Sequence, residues 1–214
     1  MSSTDLMGRL MWLPLFLLSL TVHEFAHAWA ASRLGDDTAR RLGRLTLNPL
    51  SHIDLLGTIL LPLLGVPFGW AKPVPVDPTR FRRDVSMARG MAITASAGPL
   101  ANAIMAILSA VALGLGVRAA PGFMEGDGPV VFFLVSMLQL NVGLALFNLI
   151  PIPPLDGSRI VAWLMPNGLR EQWHQLERFA PLLILAVFWF GGRLVSGPIY
   201  AATNLLIRLA QALV

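Results

Sequence analysis

Three long apolar runs dominate the pattern of the chain, and polar loops separate them. The runs cover roughly residues 10–32, 88–117 and 130–150. Each is long enough for an α-helix to cross the hydrocarbon core of a bilayer, which takes about 20 predominantly apolar residues. The pattern therefore predicts an all-α integral membrane protein, folded as a polytopic helix bundle in contact with the lipid bilayer.

A shorter apolar stretch, residues 55–69, lies between the first two runs. It is broken by Pro62, Pro67 and several glycines, and basic loops flank it on both sides. This stretch is shorter than a crossing helix requires, so we expect a re-entrant or interfacial element. Two neighbouring pieces, residues 44–47 and 74–76, are expected to form short strands beside it.

The last third of the chain is less regular. A proline-rich turn at residues 151–154 follows the third run, and residues 158–178 combine charges with tryptophan, which predicts an interfacial amphipathic segment. Two final apolar segments, about 179–190 and 198–213, are short, and arginines lie in or beside them. They are expected to form a hairpin or tilted spans, which gives about four to six membrane segments in all.

The composition excludes an ordinary soluble domain. Hydrophobic residues make up 55% of the 214 residues and charged residues only 13%, whereas a soluble globular chain averages about 25% charged residues. The length suits a single domain, residues 1–214. The net charge of +4 could indicate a nucleic-acid ligand, but the positive residues, all arginine except Lys72, lie mainly in loops between apolar runs. There they report membrane topology, and no nucleic-acid partner is predicted.

The arginine-rich loops also predict the orientation. Residues 33–44 and 72–89 carry much of the positive charge, so they are expected in the cytoplasm. The loop 118–129 then lies outside, and residues 151–178 return to the cytoplasmic side. The first run resembles a signal peptide with a small-residue cleavage site, but it is too long for a signal core, and we expect a retained span.

One segment inside the first run carries the residues of a metal site: His23-Glu24-Phe25-Ala26-His27. Residues four apart lie on one face of a helix, so both imidazoles can reach the same ion. Glu24 can take a proton from a water bound to that ion. Because the chain has no cysteine, another His, Asp or Glu must complete the site, and this ligand set suits one Zn²⁺ per chain.

The position of this motif within an apolar run favours a functional site. Each ionisable side chain costs roughly 2.5–3.5 kcal/mol at the centre of a bilayer on insertion scales. The alternative is a satisfied polar cluster that only joins helices. From His27 to Arg33 is six residues, about 9 Å along a helix, so the site is expected within the membrane towards its cytoplasmic face.

The third ligand is expected among Asp156, Asp54 and His52. Asp156 follows the run that returns to the cytoplasmic side, and the proline-rich turn before it can fold back towards the first run. Gly157 beside it permits a close backbone approach. Taken alone, an Asp-Gly pair would indicate an ordinary turn.

Further motifs follow the first one along the chain. They are Gly69-Trp70-Ala71-Lys72-Pro73-Val74-Pro75-Val76, Ser96-Ala97-Gly98-Pro99-Leu100-Ala101-Asn102, Asn148-Leu149-Ile150-Pro151 and Pro154-Leu155-Asp156-Gly157. Together with the His-Glu motif they resemble the site-2 protease family of intramembrane zinc metalloproteases. The likeness extends from the first apolar run to Arg159.

The resemblance implies roles for individual residues. Asp156 would be the third zinc ligand and Glu24 the general base. Asn148 would help to hold substrate or the developing oxyanion, as an amide near a zinc site can; its alternative is an asparagine that bonds between helices. His52, in a segment that also looks familial, either lies near the site or is a capping or interfacial residue.

The resemblance also bounds the protein as a whole. Many family members carry a PDZ-like or nucleotide-sensing domain, and no stretch here encodes one, so we expect a minimal member of bacterial type, integral to the cytoplasmic membrane. The expected function is zinc-dependent intramembrane cleavage of a transmembrane protein substrate. A membrane metal-ion transporter, which would need a continuous polar path, and a non-catalytic helix-binding scaffold are the alternatives. The sequence specifies no oligomeric state.

Overall fold

The computed structural model describes residues 3–66, 69–120, 122–124 and 128–213. This part of the chain is mainly helical. Its α-helices are, in order, α1 (Ser3–Arg33), α2 (Thr38–Arg41), α3 (Leu61–Leu63), α4 (Met87–Ala119), α5 (Pro129–Asn148), α6 (Asp156–Leu164), α7 (Asn167–Leu176) and α8 (Ala180–Leu213). The prediction of an all-α protein is confirmed.

Three helices of the described residues are long and apolar enough to cross a membrane: Leu10–Arg33, Met87–Ala119 and Pro129–Asn148. They coincide with the three apolar runs. Helices α4 and α5 begin at residues that favour a helix N-terminus. The Ser86 side chain caps α4 by accepting a hydrogen bond from the Arg89 N–H at 3.3 Å. Pro129 is the first residue of α5. A backbone N–H at that position would have no hydrogen-bond partner within the helix, so proline is tolerated there.

Helix α4 is the centre of the bundle and contacts α1, α5, α6 and α8. Small residues on α4 allow these close approaches, as expected for helices packed within a membrane. One apolar core joins α4, α5 and α8 through Ala106, Ala110, Leu113, Leu138, Val142 and Ala210. The site residues described below lie beside this core, on the α1 side of α4.

The stretch predicted to be re-entrant forms one wide helical turn, Leu55–Leu60, followed directly by α3. The two short strands expected beside it are not formed. Residues 44–47 and 74–76 have no regular secondary structure, and no strand occurs among the described residues. The physical reason is that backbone groups here bond to side chains. The Val74 N–H donates to the Glu24 carboxylate at 2.8 Å, and the Thr46 carbonyl lies 2.9 Å from the His52 Nε2, so neither group is available to a strand partner.

The C-terminal third also differs from expectation. The two apolar segments predicted at 179–190 and 198–213 form one continuous helix, α8, of 34 residues. The residues between them include glycines, which lower helix propensity by about 1 kcal/mol each without removing a backbone hydrogen bond. A helix can therefore continue through them. Residues 158–178, predicted as one amphipathic segment, fold as the two short helices α6 and α7 and a following turn.

Candidate metal centre

Three side chains from distant parts of the chain converge near the middle of the α1–α4 interface. His23 and His27 lie one turn apart on α1, both buried, with their Nε2 atoms 3.0 Å from each other. Asp156, the first residue of α6, places Oδ2 3.2 Å from the His23 Nε2 and 3.3 Å from the His27 Nε2. The structure thus brings together the two histidines and the aspartate singled out in the sequence.

This arrangement fits a zinc ion. Ligand atoms at about 2.0–2.1 Å from a tetrahedral zinc are about 3.3 Å apart, close to the spacing seen here. The Asp156 Oδ2 is buried and has no hydrogen-bond partner among the described residues, although two imidazole nitrogens lie beside it. A buried carboxylate oxygen without a partner is costly, and a shared cation would satisfy it. Within the described part of the chain, these three residues form the group that could hold a metal ion.

A sharp turn between α5 and α6 returns Asp156 to α1. The turn is closed by backbone hydrogen bonds, among them Leu155 N–H to Ile152 carbonyl at 2.9 Å. Gly157 packs directly against the carbonyl of Leu149, and a Cβ at position 157 would collide with that carbonyl. The close approach expected at Gly157 is therefore present, and it is what lets α6 begin next to the end of α5.

One face of α4 supports both imidazoles. Residues 94, 98 and 102 follow each other at intervals of one turn on that face. The Thr94 carbonyl lies 2.7 Å from the His27 Nδ1, and the Asn102 Oδ1 lies 2.5 Å from the His23 Nδ1. A backbone carbonyl only accepts hydrogen bonds, so His27 carries its proton on Nδ1 and directs the lone pair of Nε2 towards Asp156.

Gly98, between these two positions, makes room for the histidine pair. A Cβ at position 98 would lie 2.5 Å from the His27 Nε2 and 2.6 Å from the His23 Nε2. Any side chain there would displace the imidazoles. The motif containing Gly98 and Asn102 was singled out in the sequence, but these contacts were not predicted, since their signal is only a turn-by-turn spacing within an apolar run.

Glu24 and Asn148 line the same cavity as the histidine pair and Asp156, with a volume of about 310 Å³. The Glu24 Oε2 accepts a hydrogen bond from the Val74 N–H at 2.8 Å. The Asn148 Nδ2 donates to the Leu144 carbonyl of its own helix at 3.0 Å. No ion pair of Glu24 occurs among the described residues, and one donor of Asn148 is already engaged.

The segment 69–76 forms one wall of this cavity and is held at several points. Trp70 exchanges hydrogen bonds with the turn at 57–58, and the Lys72 N–H donates to the His52 carbonyl at 2.9 Å. Ala71 packs against Phe16 and Leu20 of α1. These contacts position Val74 beside Glu24.

The two alternative third ligands lie elsewhere. His52 is buried and its Nε2 lies 2.9 Å from the Thr46 carbonyl. Asp54 caps the turn that follows it, its Oδ1 accepting from the Gly57 N–H at 2.8 Å. Both residues therefore organise the loop that supports the 69–76 segment, and neither belongs to the group of possible metal ligands found in the described residues.

Comparisons with known proteins agree with this chemistry. The family model described as peptidase family M50 matches residues 119–188. "Putative zinc metalloprotease YwhC" of Bacillus subtilis is 40% identical over 195 residues, which covers 85% of this chain and 85% of that protein. "Putative zinc metalloprotease Rip2" of Mycolicibacterium smegmatis is 35% identical over 143 residues, 66% of this chain and 52% of the relative.

The Mycobacterium tuberculosis protein of the same printed name, Rip2, is 30% identical over 187 residues, 83% of this chain and 68% of the relative. No solved structure matches this chain. The long YwhC match is sufficient to assign the family, and the apolar helices show an integral membrane protein. The chain therefore belongs to peptidase family M50, the site-2 protease family of zinc metalloproteases.

Proposed function

We propose that this metalloprotease is an intramembrane endopeptidase that hydrolyses a peptide bond within or near a transmembrane segment of a membrane-protein substrate. His23, His27 and Asp156 would hold one zinc ion, and Glu24 would be the general base. The observation that carries the proposal is that a complete ligand set and a carboxylate with no cationic partner among the described residues line one cavity inside the helix bundle.

The proposed reaction assigns a distinct task to each side chain. Bound zinc would supply the Lewis acidity that acidifies a water molecule and polarises the scissile carbonyl. Glu24 accepts a proton from the attacking water and passes it to the leaving amine. Asp156 and the two imidazoles would supply three protein ligands, which is the number typical of catalytic rather than structural zinc sites.

The remaining cavity residues would handle the substrate. A helix hides its carbonyls in hydrogen bonds, so a substrate helix must unwind locally before it is cut. The 69–76 segment, beside Glu24, would receive the unwound stretch by backbone pairing. Asn148 lines the same cavity and would contact substrate or the developing oxyanion. Its amide would then have to give up the hydrogen bond to the Leu144 carbonyl and donate to the new acceptor.

The orientation proposed from the arginine-rich loops gives the site a definite depth. His27 lies about 9 Å along α1 from Arg33, which would place the cavity just inside the cytoplasmic face of a bacterial cytoplasmic membrane. Lys72, adjoining the cavity wall, is exposed and would lie at that face. The whole of residues 1–214 would form this one proteolytic domain.

Transport of metal across the membrane is the competing function. It requires polar groups along a continuous path. Beyond His23, the buried Asn102 and Asn141 bond to each other, and past them α4 and α5 pack through an apolar core of alanine, leucine and valine. That core lies where such a path would have to continue, and it favours a reaction centre over a conduit.

The test uses the full chain reconstituted with a single-span test protein. Cleavage that a zinc chelator blocks, together with loss of both zinc and cleavage in His23→Ala and Asp156→Ala, would support the protease. Asp54→Ala, a discarded ligand candidate, is the matched control and should keep its zinc. Zinc uptake into sealed vesicles without cleavage would overturn the proposal in favour of transport. The absence of both cleavage and uptake would overturn it in favour of a scaffold.

A further inference from the structure

Behind His23, on the side away from the cavity, lies a continuous chain of buried hydrogen bonds. The Asn102 Nδ2 donates to the Asn141 Oδ1 at 2.7 Å and to the Ser19 carbonyl at 3.3 Å. The Asn141 Nδ2 donates to the Ser19 Oγ at 3.0 Å and to the Met137 carbonyl at 2.8 Å. Asn102, Asn141 and Ser19 are fully buried, and together they join α1, α4 and α5.

The two backbone carbonyls determine the direction of every bond in this chain. The Met137 carbonyl can only accept, so it faces the NH₂ group of Asn141, and the oxygen of Asn141 must face Asn102. That oxygen and the Ser19 carbonyl both require a donor, so Asn102 turns its NH₂ group towards them. The oxygen of Asn102 is then left facing the His23 Nδ1.

His23 consequently has one tautomer available. Its Nδ1 must carry the proton in order to donate to the Asn102 Oδ1, and its Nε2 is left with a lone pair directed towards Asp156. The opposite tautomer would place a proton where a metal must bind. His27 needs no such relay, because its Nδ1 faces the Thr94 backbone carbonyl directly.

We propose that Asn102 and Asn141 are positioning residues of the metal centre, and that Asn141, on a helix that supplies none of the proposed zinc ligands, controls zinc affinity through the tautomer of His23. This inference rests on the proposed ligation of zinc by His23. Residues that orient a histidine ligand from behind typically change metal affinity by about 10–100-fold. We expect the upper end for Asn102→Leu, which removes the acceptor, and about 10-fold for Asn141→Leu, since the Ser19 carbonyl still orients Asn102 in part.

A merely structural role can be separated from this one by a double-mutant cycle. In Asn102→Leu the acceptor for the His23 Nδ1 is already gone, so Asn141 has no amide left to orient towards His23. We therefore expect Asn141→Leu to weaken zinc binding about 10-fold in the native background and less than twofold in the Asn102→Leu background. If Asn141→Leu does not fold, Asn141→Ala is compared in the same two backgrounds.

The measurement is the zinc dissociation constant of the full chain in detergent, from competition with a fluorescent chelator, with the visible spectrum of the cobalt-substituted protein as a second readout. Ser109→Ala is the control and should bind zinc normally, because among the described residues the buried Ser109 hydroxyl bonds to the Met105 carbonyl of its own helix. An Asn141→Leu effect that is absent, or equal in both backgrounds, overturns the inference. Unchanged zinc binding in His23→Ala would instead overturn the proposed ligand set.

Discussion

The carboxylate of Glu24 accepts a hydrogen bond from the backbone N–H of Val74 at 2.8 Å, although the two residues are 50 positions apart in the sequence. Glu24 stands between the two histidines on α1, and Val74 belongs to the 69–76 segment that lines the cavity. The contact connects the proposed general base to the proposed substrate-binding segment.

Replacement of Glu24 by Gln should abolish cleavage without removing the metal. The amide oxygen of glutamine can still accept from the Val74 N–H, so the 69–76 segment should stay in place, whereas an amide cannot take up the proton of water. General-base catalysis is typically worth about 10²–10⁴-fold, and we expect a loss of that order in the rate of cleavage of a single-span test substrate.

The zinc content of Glu24→Gln, measured on the same purified sample, should equal that of the native protein. Glu171→Gln, which changes an exposed glutamate on α7, is the matched control and should cleave normally. Native rates in Glu24→Gln would refute the assignment of this residue as the base.

Replacement of Arg44 by Ala should impair use of substrate while leaving the metal site intact. The Arg44 guanidinium donates to the Lys72 carbonyl at 2.6 Å and to the Pro73 carbonyl at 3.3 Å, just before Val74. Loss of hydrogen bonds from a charged donor costs about 1.5–3 kcal/mol, so the 69–76 segment should become less ordered. We expect kcat/KM for the test substrate to fall by about 10-fold or more.

Arg41→Ala is a suitable comparison for Arg44→Ala, because Arg41 is exposed and pairs with Asp37 one turn away. It should retain native kinetics. The zinc dissociation constants of both variants should match that of the native protein. A fall in zinc affinity in Arg44→Ala would show that the arginine acts on the ligand set instead.

Replacement of Gly98 by Ala should damage the metal centre directly. The added methyl group would sit 2.5–2.6 Å from the Nε2 atoms of both histidines, so the imidazoles must move away from Asp156. Overpacking of this kind costs about 1–3 kcal/mol, which corresponds to roughly a 5- to 150-fold loss of zinc affinity. The measurement is zinc binding by chelator competition.

Gly143→Ala provides the control for a helical glycine, because a Cβ at that position would meet only the Ile199 Cδ1, at an ordinary 3.7 Å. Its zinc affinity and cleavage rate should be native. If Gly98→Ala bound zinc as tightly as Gly143→Ala, the close packing of α4 on the histidine pair would have no functional importance.

Removal of zinc should lower the thermal stability of the native protein. A ligand at 100 times its dissociation constant stabilises the folded state by about 2.7 kcal/mol, so a zinc chelator should lower the unfolding temperature followed by intrinsic tryptophan fluorescence. A calcium-selective chelator should have no such effect. Asp156→Ala should unfold at a temperature that the zinc chelator does not change, and an equal shift in both proteins would argue against Asp156 as a ligand.

The sequence was most informative where the relevant pattern is local. Uninterrupted apolar runs predicted the spans to within a few residues at each end, because hydropathy over 20 residues dominates the choice between lipid and water. The facing histidines followed from helix periodicity alone. Asp156 was favoured by the predicted topology, because it follows the run that returns to the cytoplasmic side, and the family resemblance then assigned it as the third ligand; taken alone, its Asp-Gly pair indicates only a turn.

Hydrogen bonds between side chains far apart in the sequence were not predicted. His23 and Asn102 are 79 residues apart, and Asn102 and Asn141 are 39 apart, so neither pairing leaves a periodic trace in the sequence. The expected strands at 44–47 and 74–76 failed for a related reason, because their backbone groups bond to side chains from elsewhere. The continuity of α8 was not predicted, because polar and small residues interrupt its apolar pattern between the two segments.

The wide separation of Asp156 from the two histidines along the chain has a consequence for biogenesis. A ribosome synthesises α1, α4 and α5 before it reaches the aspartate, so a nascent chain inserts its histidines long before it can complete a hydrolytic centre. Under the proposed ligand set, the growing chain would therefore lack its third zinc ligand while α1, α4 and α5 enter the membrane. Cleavage would require that translation has passed α5 and that α6 has folded back against α1.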